Sequence, residues 1–208
     1  MKLTNEVLIN ILSNLKMKLI SKSQLVKEFC NALQLKKQNE LENIISNLRR
    51  NGWIKHVFQN YYYILESQEL QENFMKYSSN EAVFAVLNKL NIDWYLGLES
   101  ALIENKLSWS MISRTVIINS KISGVKKILG VTYEFKKMKK EFIKIGLKSK
   151  ESKNRITSYY SDIDKTLIDY YYFKKKPISE LLDKKNSQKM SEYLKSYPKN
   201  FRKKVMYA

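Results

Sequence analysis

The stretch that most constrains this chain runs from residue 36 to residue 65, KKQNELENIISNLRRNGWIKHVFQNYYYIL. Its first half spaces Leu41, Ile44, Ile45 and Leu48 at i, i+3, i+4 and i+7, the pattern of one buried helix face. Asn39, with Glu42 three residues on, predicts a capping pair at the helix start. Gly52 follows the last apolar turn, where a residue able to turn left-handed closes a helix. Trp53-Ile54 and Tyr61 to Leu65 then read as two β-rich runs around a turn at Phe58-Gln59-Asn60.

The residues before this stretch predict two more helices. Thr4 is placed to cap the first, which carries Val7, Leu8, Ile11, Leu12 and Leu15 on one face. Ser21-Lys22-Ser23-Gln24 is a Ser-x-x-Gln capping box that opens the second, with Leu25, Phe29 and Leu33 facing inward and Cys30 beside them. Three helices and a two-stranded wing predict a winged helix-turn-helix DNA-binding domain over residues 1–66. On the third helix the face opposite the core presents Asn39, Asn43, Ser46 and Arg50, with Asn47 at its flank. Asn and Gln can pair bidentately with adenine, and Arg with guanine, in the major groove. Lys36, Lys37 and Gln38 stand at the entry to that helix, the lysines suited to phosphate. Ser21 and Lys22 would touch the DNA backbone, and His56, Gln59 and Asn60 at the wing would reach an adjacent groove. An ordinary solvated helix face would hold the same residue types, and winged helices also bind proteins.

Residues 67–208 predict an α+β domain of helices, then a small, mostly antiparallel sheet, then helices. Helical patterns cover 66–77 and 80–90. Asp93 would cap another, through Tyr95, Leu98, Ala101 and Leu102 to about Leu107. Strands are expected at Thr115 to Ile118, Val131 to Phe135, around Phe142, Ile143 and Ile145, and at Ile156 to Tyr160, with Lys148 to Asn154 as a charged loop or hairpin tip. Asp162 would cap a helix through Thr166, Leu167, Ile168 and Tyr171. Pro177 breaks the chain, and two short helical stretches follow.

Charge points to a polyanionic partner. The net charge is +18, from 38 Lys and Arg against 20 Asp and Glu. A Lys-rich, Asn-rich composition can also come from AT-rich coding, but that bias alone does not produce so large an excess. Residues 1–66 carry 10 basic and 5 acidic side chains, whereas 121–155 carry 12 and 3, and 174–208 carry 11 and 3. Most of the excess therefore lies outside the proposed DNA-reading unit. It forms a basic C-terminal surface of Lys126, Lys127, Lys136, Lys137, Lys139, Lys140, Lys174, Lys175, Lys176, Arg202, Lys203 and Lys204.

Nothing in the sequence predicts an enzyme. One cysteine and one histidine exclude an internal disulfide and Cys- or His-rich metal sites. There is no Gly-rich phosphate loop, no G-x-S-x-G and no HExxH. Asp162 and Asp164 read as helix-start carboxylates in preference to a metal-binding pair, and the Tyr170 to Phe173 run as core and interface in preference to a base-stacking platform beside Lys174 to Lys176. No catalytic residue, metal or cofactor is expected. No apolar run approaches the about 18 residues of a membrane span, and the N-terminus lacks signal-peptide character, so a cytoplasmic protein without a membrane partner is expected.

The order of elements, with "WYLGLESALIENKL" after the winged helix and "SDIDKTLIDYYYF" after the strand-rich basic stretch, resembles the AbiEi family of antitoxins and transcriptional regulators of type IV toxin–antitoxin (abortive-infection) systems. Ser100-Ala101-Leu102 resembles the family's small-residue helix. Asp164-Lys165-Thr166-Leu167-Ile168-Asp169 resembles its EKTLLD-like helix start, with Asp164 where Glu is usual. The resemblance implies a non-enzymatic regulator that binds the operator DNA of its own operon, with homo-oligomers on DNA compatible with that role. It also implies a nucleotidyltransferase-like toxin, or that toxin's RNA substrate, as a further partner, and a C-terminal domain that carries antitoxicity. The competing expectation is an interaction protein whose winged helix and basic domain dock an acidic protein or RNA without binding DNA.

Overall fold

A computed structural model describes residues 5–15, 17–34, 38–107, 113–174 and 179–206, with side chains at all of these except 38, 39, 179 and 180. The expected cap at Thr4 and the lysines Lys36, Lys37, Lys175 and Lys176 lie outside the described residues. The chain divides into two compact units, Met1–Val86 and Leu87–Ala208. The sequence pattern divides it at 66/67.

The first unit runs α1 (Asn5–Asn14), β1 (Leu19–Ser21), α2 (Lys22–Leu33), α3 (Gln38–Arg50), β2 (Ile54–Phe58), β3 (Tyr61–Ile64) and α4 (Ser67–Gln71), and α5 (Ser79–Lys89) carries the boundary. Its three strands form an antiparallel sheet in the order β1-β3-β2. The short strand β1 has no sequence signal of its own, and it forms because β3 offers it an edge. One core gathers Leu8 and Leu12 of α1, Leu25 and Phe29 of α2, Leu41, Ile44, Ile45 and Leu48 of α3, and Ile20, Ile54, Tyr62 and Ile64 of the sheet. Ser21 caps α2 with both arms of the expected box. At the end of α3, Gly52 takes φ +77°, its N–H donates to Arg49 O and the Trp53 N–H donates to Leu48 O, a Schellman closure. Asn39 lies inside α3 and not at its cap, because the helix begins at Gln38. The helix expected over 66–77 is only α4, Ser67–Gln71.

The second unit contains β4 (Trp94–Leu96), α6 (Glu99–Glu104), β5 (Thr115–Asn119), β6 (Gly124–Ile128), β7 (Val131–Lys137), α7 (Lys140–Ile143), β8 (Leu147–Glu151), β9 (Thr157–Ser161), α8 (Ile163–Lys174), α9 (Ser179–Leu182), α10 (Ser187–Leu194) and α11 (Lys199–Met206). The sheet order is β6-β7-β5-β4-β9-β8. The fold is α+β, as expected, and the sheet is mixed: β4·β5, β6·β7 and β8·β9 pair antiparallel, while β5·β7 and β4·β9 pair in parallel. The hairpin β6–β7 returns with β7 against β5 and β6 outermost, which makes β7 run alongside β5 in the same direction. Three local expectations are corrected. Tyr95 belongs to a strand and not to an Asp93-capped helix, because Leu98 takes a positive φ (+52°) that no helix allows and delays the helix to Glu99. Phe142 and Ile143 lie in the short helix α7, which buries both. Lys148 to Glu151 is strand, held by its antiparallel partner β9, so the expected hairpin tip narrows to the residues between the two strands.

In the first unit a single carboxylate ties sheet to connection. Glu69 of α4 is 2% exposed. It accepts hydrogen bonds from the Tyr63 hydroxyl of β3, the Lys18 ammonium and the N–H groups of Glu66 and Lys76. Burial alone would raise its pKa, but these donors outweigh burial and hold it down to about 2, from an ordinary 4.5. A folded-state pKa below the unfolded one gives stability that is fully present above the ordinary value and is lost as pH falls toward 2. Urea unfolding from pH 6 to pH 2 should show wild-type stability falling along this limb, with Glu69→Gln less stable at pH 6 and flatter below it. Parallel limbs would contradict this role.

Candidate nucleic-acid interface

The α3 helix buries Leu41, Ile44, Ile45 and Leu48 and leaves the opposite stripe outside. Asn43, Ser46 and Arg50 are exposed and Asn47 is half-buried, so the four expected base-reading residues with described side chains share one face. The last turn is ordered internally: Arg50 Nη2 donates to Asn47 Oδ1 at 3.2 Å and Asn51 Nδ2 donates to the same oxygen at 2.8 Å. That bridge holds the guanidinium along the helix surface, where it can be offered to a planar acceptor.

Other residues expected at this interface are engaged within the unit. The Ser21 hydroxyl accepts the Gln24 N–H at 3.2 Å as the α2 cap. Lys22 Nζ lies 2.5 Å from Glu42 of α3, whose hydrogen bond raises the lysine pKa. His56 is exposed on the wing. Its Nε2 meets Gln59 O at 2.6 Å, stabilising a turn in which Gln59 is left-handed (φ +53°), and its ring packs edge-on to Tyr62. Gln59 and Asn60 remain exposed at the tip. The tip itself is tied back to α2, because the Lys22 N–H donates to Asn60 O at 2.6 Å. Lys22, Glu42 and Asn60 thus border one shallow cleft between α2, α3 and the tip.

The basic residues of the second unit divide by environment. Lys126 and Lys127 are exposed on the edge strand β6. Lys136 is half-buried and pairs with Glu134 at 2.5 Å, with its ammonium 5.4 Å from the Phe173 ring centroid. Lys174 is exposed and lies 3.7 Å from Glu99. Arg202 is half-buried, and Lys203 and Lys204 are exposed on α11. Lys137, Lys139 and Lys140 are exposed around a common pocket with Lys121, which the sequence pattern does not single out because it stands apart from the lysine pairs. Lys148 and Lys150 of β8 face Asn105 and Glu104 at 3.1 Å each.

The motif from Ser161 to Asp169 builds a sealed polar centre. Lys165 and Asp169 are both 0% exposed and 2.5 Å apart on successive turns of α8. Tyr95 donates to Asp169 Oδ2 at 2.9 Å, and Lys165 donates to Tyr197 Oη at 2.8 Å. Burial pushes the Lys165 pKa down and the Asp169 pKa up, and each partner opposes the other's shift. Asp162 caps α8 through the Lys165 N–H and also accepts from Lys189 and Tyr193. Gly146 (φ +63°) permits the approach, since a Cβ there would stand 2.7 Å from both Lys165 Cβ and Tyr193. Ser100 plays a similar part, its hydroxyl accepting the Val116 N–H at 2.8 Å. The residues that resemble the family motif therefore act in folding, and a closed centre offers no approach to a ligand. Among the described residues no group of three His, Cys, Asp or Glu side chains could hold a metal ion. No described helix is long and apolar enough to cross a membrane.

No protein-family model matches the chain, and no curated protein matches it. Its fold is similar to that in the crystal structure of the RV2827C protein from Mycobacterium tuberculosis. The TM-score is 0.57 at 11% identity, over 97% of this chain and 74% of that one. At that identity the likeness concerns fold alone.

Removing one partner of the sealed pair tests its role. Lys165→Met leaves Asp169 buried without its cation and should destabilise the chain by about 3–5 kcal/mol. Nucleic-acid affinity of the folded fraction should not change. A variant of full stability, or a folded variant with diminished affinity, would contradict a purely structural centre.

Proposed function

We propose that this chain is a non-enzymatic, DNA-binding regulator of the antitoxin type, acting in the cytoplasm on the operator of its own operon. In this reading the first unit is a winged helix-turn-helix. The order helix, strand, helix, helix, strand, strand, with β3 central, is the one such a module requires. The observation that carries the reading is the α3 stripe of Asn43, Ser46, Asn47 and Arg50, a row of base-edge donors and acceptors opposite a fully buried apolar face. The exposed lysines of the second unit supply phosphate contacts that add affinity without sequence preference. Lys126 and Lys127 are better placed for this than Lys136, whose charge already faces Glu134. The resemblance to AbiEi antitoxins adds a nucleotidyltransferase-like toxin, or its RNA substrate, as the second partner.

Fluorescence anisotropy on DNA from upstream of the chain's own gene, against a shuffled duplex, tests the reading. Wild type should prefer the upstream duplex. Asn43→Ala and Arg50→Ala should each cost about 1–3 kcal/mol on that duplex and little on the shuffled one. Lys126→Gln with Lys127→Gln should weaken both duplexes alike. The slope of log affinity against log salt should fall by about 0.9 for each phosphate that the wild-type lysines neutralise. Equal affinity for both duplexes, unchanged by the α3 substitutions, would favour the alternative of an interaction protein that docks an acidic partner.

A further inference from the structure

A pocket of about 550 Å³ opens in the second unit where the parallel strands β5 and β7 end. The two strands finish in register, with Asn119 beside Lys137. Ligands of parallel sheets bind outside the carboxyl ends of the strands, and this volume lies within the range of small-ligand sites. Lys121, Lys137, Lys139 and Lys140 line it, with Asp93 and Tyr172. Asp93 is thus the one carboxylate among the lining residues, beside four lysines. Asp93 is 3.3 Å from Lys140, and Lys139 reaches Glu141 only at 4.0 Å. Among the described residues no carboxylate pairs with Lys121 or Lys137.

The arrangement is fixed, not merely a crowd of surface lysines. Asn119 is fully buried, and its Oδ1 accepts the N–H groups of Lys121 and Ile122 at 2.9 and 2.6 Å while its Nδ2 donates to Ile122 O at 3.0 Å. The Ser120 N–H donates to Asp93 O at 3.1 Å, and the Met138 N–H to Asn119 O at 2.9 Å. Both sides of the pocket, 120–122 and 137–139, are therefore anchored to one buried residue. On the wall, Tyr172 is braced edge-on by Phe142, Phe173 and Phe201, which orients its ring. Converging like charges repel one another, and an anion relieves that repulsion. A ring on the wall adds a surface on which a base can stack.

We propose that this pocket binds a nucleotide, its phosphate among Lys121, Lys137, Lys139 and Lys140 and its base against Tyr172. The nucleotide comes either as a free molecule or as one unit of a nucleic-acid strand. The site goes beyond the operator reading and does not depend on α3. Calorimetric titration of the full chain with AMP, adenosine and inorganic phosphate, and anisotropy with a labelled single-stranded dT10, test it. Lys121→Gln with Lys137→Gln changes only exposed side chains and should leave the unfolding midpoint in place. The double variant should bind AMP, dT10, or both at least tenfold more weakly, while adenosine and phosphate alone bind weakly to wild type. Weakened AMP binding, with AMP displacing dT10, assigns a free nucleotide that shares the site with strands. Weakened dT10 binding alone assigns a strand nucleotide. Unchanged affinity for both probes, or no binding of either by wild type, overturns the site. Because dT10 and AMP carry no operator sequence, failure here leaves the α3 reading standing, and failure of sequence preference leaves this site standing.

Discussion

The first unit depends on one strand. β3 is paired on both sides, to β1 and to β2, so two separate parts of the chain take their positions from Tyr61 to Ile64. Through β1 it sets where α2 begins, and the Lys22 N–H then holds the wing tip at Asn60 O. Through β2 and the Gly52 closure it sets where α3 ends. Tyr63 carries the constraint onward to Glu69. The exposed stripe of α3 is useful for reading a groove only if the helix cannot roll, and the buried stripe together with these anchors at α2 and Gly52 prevents rolling.

The second unit solves a different problem, a lysine-rich sheet with two charged edges. Its centre is an ion pair without solvent, closed by Tyr95 and Tyr197 hydroxyls. Such a pair contributes little net stability against an apolar core, yet losing either partner costs several kcal/mol. It therefore fixes how α8, β4 and the segment after α10 meet. Glu134, Glu104 and Asp93 neutralise particular lysines, while Lys121, Lys126, Lys127 and Lys137 project outward. The proposed reading thus assigns sequence choice to the first unit and charge to the second, on separate groups.

What could be read from sequence was local. The capping box at Ser21, the Leu41 to Leu48 face and the stop at Gly52 each depend on residues close in the chain, and each appears where its pattern places it. The misread elements depend on partners. Leu147 to Glu151 carries only one apolar residue and becomes a strand because β9 pairs with it. Tyr95, Leu98 and Leu102 mimic helical spacing until the positive φ of Leu98 divides them. At the candidate interface the stripe of α3 was legible, but the engagement of Lys22 with Glu42 and of His56 with Gln59 O was not, since those contacts join residues from different elements or across a turn. The lysine pocket was hidden for the same reason, because Lys121, Lys137 and Tyr172 meet only through β5, β7 and α8.

Site-directed photocrosslinking tests the central claim most directly. A photoreactive side chain at Ser46, on the exposed stripe of α3, should crosslink to bases of the duplex from upstream of the chain's own gene, and one at Lys126 should crosslink without regard to sequence. Crosslinks from Lys126 with none from Ser46 would contradict the assignment of site choice to α3.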